Sequence, residues 1–390
     1  MVMSRLRGFL AAAAFVCSIS TGALAGDALP QSVVQKLSDP AVIAAALADE
    51  EAPFVRVIVD VAMPTMPDIG TYASEDEADA ALINASHRAQ NQVIGRVFAL
   101  EGGVQGVMGS GEAAERLNIR QMDFLSRFAI NADAEMLARL AADPDVLRID
   151  PDREVGLYLN QGNPTSLDVI QMPTAWAAGA TGAGQNVAIL DTGGRRTHKF
   201  LNARIVSAAC YSVHNPGDNR YSICPGSVQE STHIDSANDC DNTTIAGCGH
   251  GTHVAGTAAG FNNAPLAGEP LFGVARNAGI ISINVFHRRP SAFCNNPLSN
   301  GCVLASSFDI DKGLERVFAL RNTYNIAAVN MSLGGGLYNT SCDSLNSSTT
   351  TLINNLRNAG IATVIAAGND GSDTHVGWPA CISNAVTVAS

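Results

Sequence analysis

Five short runs in the second half of the chain constrain its fold most: NVAIL at 186–190, GIISINVF at 279–286, AAVNMSL at 327–333, IATVIAA at 361–367 and AVTVAS at 385–390. Each is apolar at consecutive positions rather than alternate ones, so each has two faces to bury. Strands of that kind belong to a parallel sheet, because the long crossovers that parallel pairing needs lay helices over both faces. Covering helices are at hand in SFDIDKGLERVFAL (307–320) and SLNSSTTTLINNLRNAG (344–360). The expected fold is α/β, a doubly wound parallel sheet with helices on both faces.

The earlier part of the chain has another rhythm. FVRVIVDVA (54–62) alternates apolar and polar positions, as a strand with one buried face does, and FLSRFAINA (124–132) and VLRIDPD (146–152) supply further strands. NASHRAQNQVIGRVFAL (84–100) and DAEMLARLAADP (133–144) read as helices between them. Helices interleaved with strands predict a small α+β sandwich. The polar, Gly- and Pro-containing LYLNQGNPTS (157–166) reads as a linker, which divides 26–160 from 161–390. At 390 residues the chain has length enough for both units.

Residues 1–25 join Arg5 and Arg7, the apolar GFLAAAAFVCSIS and the small-residue pattern Ala23-Leu24-Ala25, which together read as a signal peptide. The apolar core is shorter than the roughly 20 residues that span a bilayer. The chain is therefore expected to be secreted or periplasmic, with no membrane partner. Beyond Cys17, the cysteines are Cys210, Cys224, Cys240, Cys248, Cys294, Cys302, Cys342 and Cys381, all after residue 200. An even set in an exported chain favours disulfides, and the absence of CxxC argues against zinc. Nearness in sequence pairs Cys240 with Cys248 and Cys294 with Cys302. A formal charge of -12 with no basic patch excludes nucleic acid as the main partner.

Two stretches carry candidate chemistry. Asp191 closes NVAIL and opens the turn Asp191-Thr192-Gly193, at the carboxyl edge of the predicted sheet where active sites of open α/β folds lie. Alone it reads equally well as a turn aspartate, and an aspartic protease would need a second DTG or DSG, which the chain lacks. GHGTHVAGTAAG (249–260) sets His250 and His253 three apart, a spacing open to a metal ion or to a proton acceptor.

Taken together, AILDTGG (188–194), GHGTHVAGTAAG, NMSLGGG (330–336) and VIAAGNDG (364–371) resemble the subtilisin-like serine proteases, with four motifs in the family's order. The resemblance implies that His250 is the general base, that Asp191 holds its other nitrogen, and that His253 is structural. Asn369 matches the oxyanion asparagine. Ser332, Leu333 and Gly334 match the segment that pairs with extended substrate, and Ala366, Ala367 and Gly368 the opposite wall of the P1 pocket. The resemblance further implies that 26–160 is an inhibitor-like propeptide with a ferredoxin-like fold. Its tail, VLRIDPDREVGLYLN, would run into the cleft in extended form, with maturation cutting between about 153 and 167.

The family's GTSMAxP-like nucleophile segment does not occur in 1–390, and Ser332, Ser372 and Ser383 lack its surroundings. The chain reads as a protease fragment, inactive as written; the alternative is a non-catalytic protease-like binding or inhibitor protein. The expected partners are a polypeptide substrate and the chain's own propeptide, with the protein a monomer. No cofactor is required, and calcium enters only as an optional structural ion, the acidic loop HIDSANDCDN (233–242) being its candidate site.

Overall fold

The computed structural model describes residues 29–48, 54–66, 71–157, 166–265, 271–295 and 298–389. The predicted signal peptide lies outside them, as do residues 158–165 of the predicted linker. The N-terminal unit is a four-stranded antiparallel sheet, made of β1 (Val55–Val61), β2 (Arg120–Gln121), β3 (Arg127–Ala132) and β4 (Val146–Pro151), in the order β2-β3-β1-β4. The alternation read in FVRVIVDVA separates its two faces. Val55, Val57, Val59 and Val61 pack into the unit's own core with helices Glu75–Val97 and Ala134–Ala142, while Ile58 joins the larger core of the second unit. The first helix begins nine residues before the predicted one. Ser74 caps it, its Oγ accepting from Glu77 N while Glu77 Oε2 accepts from Ala73 N, and three acidic residues fill its first turn.

The chain then adds β5 (Glu154–Leu157) and enters the second unit. Its strands are β6 (Asn186–Asp191), β7 (Ile205–Tyr211), β8 (Tyr221–Ser222), β9 (Glu230–Ser231), β10 (Gly279–Asn284), β11 (Phe286–Arg289), β12 (Cys302–Ser306), β13 (Ile326–Met331), β14 (Leu333–Tyr338), β15 (Ala362–Ala366), β16 (Val376–Trp378) and β17 (Val386–Val388). The main sheet has the order β17-β15-β13-β6-β10-β7-β9 and is parallel except for β9. Ile189 of β6 faces helix His250–Ala259 through Val254, Ala255 and Ala259. Ala188 and Leu190 face the opposite way, into the core shared with helices Ser307–Ala319 and Ser347–Asn358. The unbroken apolar run is thus buried on both faces, as a doubly wound parallel sheet requires.

A second sheet has the order β16-β14-β5-β12-β11-β8, so the strand that ends the N-terminal unit lies in the middle of it. Four disulfides tie the second unit: Cys210–Cys224, Cys240–Cys248, Cys294–Cys302 and Cys342–Cys381. The two pairs expected from nearness are among them.

Candidate active site

The parallel register aligns the candidate residues along one edge. Met331 of β13 pairs with Leu190 on one side and with Ile365 on the other, so the next row is Asp191, Ser332 and Ala366. Asn284 of β10 pairs with Asp191 in the same row. This is the carboxyl end of the strands, where loops can gather without interrupting the ladder.

Asp191 is fully buried, and its Oδ1 accepts from His250 Nδ1 at 2.7 Å and from Thr192 N at 2.7 Å. Close backbone approach makes this contact. Gly251 N donates to Thr192 Oγ1 at 3.0 Å, and a Cβ on Gly251 would lie 2.2 Å from the Gly193 carbonyl oxygen, so only glycine fits beside the DTG turn. Asp239 holds the other side of the helix start, accepting from Gly249 N at 2.7 Å and Thr252 Oγ1 at 3.0 Å, and Thr252 Oγ1 accepts from Arg195 N. Burial pushes the Asp239 carboxyl above its ordinary value, with the Gly249 and Thr252 bonds opposing.

A carboxylate on Nδ1 makes that nitrogen the donor and leaves Nε2 with its lone pair free. Among the described residues no group hydrogen-bonds to His250 Nε2, although the atom is buried. The ring is therefore oriented as a base, with no hydroxyl of the described chain against it.

Leu333 pairs with Leu157, and Gly334 with Gly156, so the segment predicted to align extended substrate aligns β5 instead. On the other side of β5, Ala305 pairs with Val155 and Ser306 with Glu154. A Cβ on Gly247 would come 2.8 Å from Leu157 Cδ1, which brings the tail beside the loop leading into His250. Ala366 ends β15, Ala367 N donates to Val388 O at 2.8 Å, and Gly368 takes φ 135°, where a side chain is strained. Asn369 occupies the exposed turn that follows.

His253 departs from expectation. Its side chain is exposed, and the residues of its turn that reach the core are Val254 and Ala255. In the acidic loop, Asp235 binds Arg196, Asp239 accepts from Gly249 N and Thr252 Oγ1, and Asp241 accepts from Thr243 and Thr244. Among the described residues no three His, Cys, Asp or Glu groups converge on a metal position. The roles of Asp239 and Thr252 at the helix start, and the existence of strand β12, had no clear signal in the sequence. The latter was legible only as a five-residue run, CVLAS, between a cysteine and a helix cap.

Residues 182–390 match the Subtilase family, peptidase S8. The chain is 33% identical over 268 residues to the extracellular serine proteinase of Thermus sp. (strain Rt41A), covering 67% of this chain and 51% of that protein. It is 27% identical over 274 residues to subtilisin E of Bacillus subtilis (strain 168), covering 70% and 57%. Among solved structures, sphericase matches at 25% identity and TM-score 0.38 over 54% of each chain. The fold is an α/β layer with a buried aspartate on a histidine at its carboxyl edge. The chain belongs to the subtilase family. It spans about half to three-fifths of the length of these curated relatives.

Proposed function

We propose that the chain belongs to the precursor of a secreted serine endopeptidase of the subtilisin type, monomeric and independent of cofactors. The observation that carries the reading is the 2.7 Å contact of buried Asp191 with His250 Nδ1, opposite an Nε2 that has no partner. In this reading Nε2 takes the proton of a serine hydroxyl as that oxygen attacks a peptide carbonyl, and returns it to the leaving amine. Asp191 stays ionised and stabilises the imidazolium. Asn369 donates its side-chain amide to the oxyanion. Leu333 and Gly334 pair with the substrate main chain, Ser332 precedes them, and Ala366, Ala367 and Gly368 form the facing wall.

The N-terminal unit is then an inhibitory propeptide whose tail β5 occupies the substrate path. The serine is none of those in 1–390, so this polypeptide alone is proposed to be inactive. A fluorophosphonate probe tests both statements. It is expected to leave 1–390 unlabelled and to label a polypeptide that carries the family's serine segment beyond residue 390. In that polypeptide Asp191→Asn is expected to lower turnover by about 3 × 10⁴-fold, the cost of losing the corresponding aspartate in subtilisin. Labelling of 1–390, or labelling that is indifferent to His250→Ala, refutes the assignment.

A further inference from the structure

Strand β5 carries one acidic side chain into the second unit, and the pocket receiving it is built for an anion. Glu154 pairs with Ser306, and its side chain reaches across β12 to β11. His287 Nε2 donates to Oε1 at 2.6 Å; Arg289 grips both oxygens, Nε to Oε1 at 2.9 Å and Nη2 to Oε2 at 2.7 Å. Arg220 Nε lies 3.5 Å from Oε1. The side chains of His287, Arg289 and Arg220 are 0%, 6% and 8% exposed. Burial alone would raise the Glu154 carboxyl, but the Arg220 charge and the bonds and charge from His287 and Arg289 hold it far below its ordinary value.

The pocket's own unit offers these groups one residue in exchange, Asp218, whose main-chain oxygen also accepts from Arg289 Nη1. Asp218 lies 2.8 Å from Arg220 Nε and 3.7 Å from Arg289, and is 42% exposed. Asp309, fully buried, acts on Arg220 only through space. Asp152, 3.4 Å from Arg220, arrives with the tail, as Glu154 does. Without the tail, two buried guanidiniums and an imidazole would lack their main counter-charge, which is costly in a dry site.

The donors are also held in place. His287 and Arg289 are two apart and so share one face of β11. Cys294–Cys302 fastens the segment after β11 to the start of β12, and Cys210–Cys224 fastens the end of β7 to the loop that carries Asp218 and Arg220. A fixed cluster of donors binds a matching carboxylate without reordering itself.

We propose that this pocket is a substrate subsite that selects a glutamate side chain in an extended polypeptide, three residues before the residue that pairs with Leu333, with Glu154 as its resident occupant. The proposal rests on the reading of β5 as lying in the substrate path. Main-chain pairing with β12 and β14 is blind to sequence, and the pocket adds a chemical requirement. Glutamine fits but removes the charge-assisted bonds, aspartate is one methylene short of spanning β12, and lysine is repelled.

The whole 1–390 chain tests this without hydrolysis, by hydrogen exchange over 154–157 in the parent and in Glu154→Gln, Glu154→Asp and Glu154→Lys. Glu154→Gln is expected to lower protection about 100-fold, aspartate to fall between, and lysine to abolish it. In an Arg289→Gln background the Glu and Gln forms are expected to differ by less than about 5-fold. In a second arm the Glu154→Gln chain is titrated with the capped hexapeptide of residues 152–157 and with its glutamine counterpart. The glutamate peptide should displace the tail at a concentration about 30-fold lower or more. Equal protection by Glu and Gln, or a carboxylate preference that survives both Arg289→Gln and Arg220→Gln, overturns the proposal. If the Arg289 variant does not fold, the peptide titration in the intact pocket decides. A chain that cleaves nothing leaves the subsite standing, and failure of the pocket leaves the proteolytic reading standing.

Discussion

Gly251→Ala asks whether backbone approach sets the Asp191–His250 contact. The added methyl would stand 2.2 Å from the Gly193 carbonyl oxygen, 3.0 Å from Gly193 N and 3.1 Å from Asp191 Cβ. An ordinary carbon–oxygen contact is about 3.3 Å, so the helix start must retreat by about 1 Å. All three obstacles are backbone or the stem of a buried side chain, and none can swing aside. The retreat stretches the 3.0 Å bond from Gly251 N to Thr192 Oγ1 and draws His250 Nδ1 off Asp191 Oδ1. Overpacking costs about 2 kcal/mol and the weakened hydrogen bonds about 1 more. Catalysis in a serine-bearing polypeptide falls by about 100-fold, the usual effect of a 1 Å misplacement. Urea unfolding of 1–390 reads the first quantity, and the hydrogen-bonded imidazole Nδ1 proton in the NMR spectrum reads the second. Gly256→Ala on the same helix is the control: its methyl would meet the Phe200 ring at 3.0 Å, and that ring can pivot, so the cost stays below about 1 kcal/mol. If Gly251→Ala unfolds within about 0.5 kcal/mol of the parent and keeps the Nδ1 proton, the argument from close approach fails.

Burial pushes the Asp311 carboxyl up to about 7 against the Ser348 and Thr349 hydroxyl bonds. The folded state then holds a proton that the unfolded state releases near 4, so stability falls as pH rises from about 4 to 7 and is level above. Asp311→Asn should remove that fall, worth about 4 kcal/mol at most, in unfolding curves taken across the range; equal pH slopes for the two chains would count against it. Cys342–Cys381 joins residues 39 apart and Cys240–Cys248 only 8 apart, so removing the first by paired Cys→Ser should cost about 1.4 kcal/mol more in urea unfolding. N-terminal sequencing of the matured protein should begin beyond Leu157, because residues 154–157 are paired within the second sheet; a start inside β5 contradicts the tail's assignment. In a chain nicked within 158–165, the depressed Glu154 carboxyl keeps the tail bound above its unfolded value of 4.5 and releases it as pH falls below, which sedimentation across that range would detect.

The parallel sheet was legible because burial on both faces removes the alternation from a strand, and the ends of β6, β10 and β13 follow their apolar runs closely. Asp191 and His250 were legible as local motifs, one closing a strand and one opening a helix. Their meeting was not, since 59 residues separate them and the contact depends on β6 lying under the histidine helix. The early start of helix Glu75–Val97 has little apolar signal, because its buried positions lie mostly in its second half, from Ala85 onward. Sharing a helical face with His250 does not carry His253 inward: three residues fall short of a full turn, and the neighbouring Val254 and Ala255 take the buried face. The Glu154 pocket had no pattern to read: His287, Arg288 and Arg289 look like a solvated basic run until β11 is known to lie next to β12, with β5 beyond it.

The contact between the two units carries many polar bonds, which matters if the N-terminal unit is a propeptide that must leave. Arg120 reaches Asp309 and Glu230, Arg321 takes both oxygens of Asp79, Phe124 N donates to Glu315, and Arg127 donates to Ser347. Ile58 and Ala129 of the N-terminal sheet, with Met122 just after β2, join the larger core as buried apolar residues. A permanent interface resembles a core cut in half, and its halves would be insoluble apart. Buried ion pairs instead give little net stability while they fix geometry, and the same groups are well hydrated once released. Strand β5 follows this logic. Val155 and Leu157 turn into the core and Glu154 turns toward the cations, so a slip of one residue would set an apolar side chain against Arg289 and leave the carboxylate stranded. Main-chain pairing holds the tail between β12 and β14, and Glu154 fixes its register there. Under the proposed subsite, the residue that this pocket selects decides which bond of a bound chain lies toward Asp191 and His250.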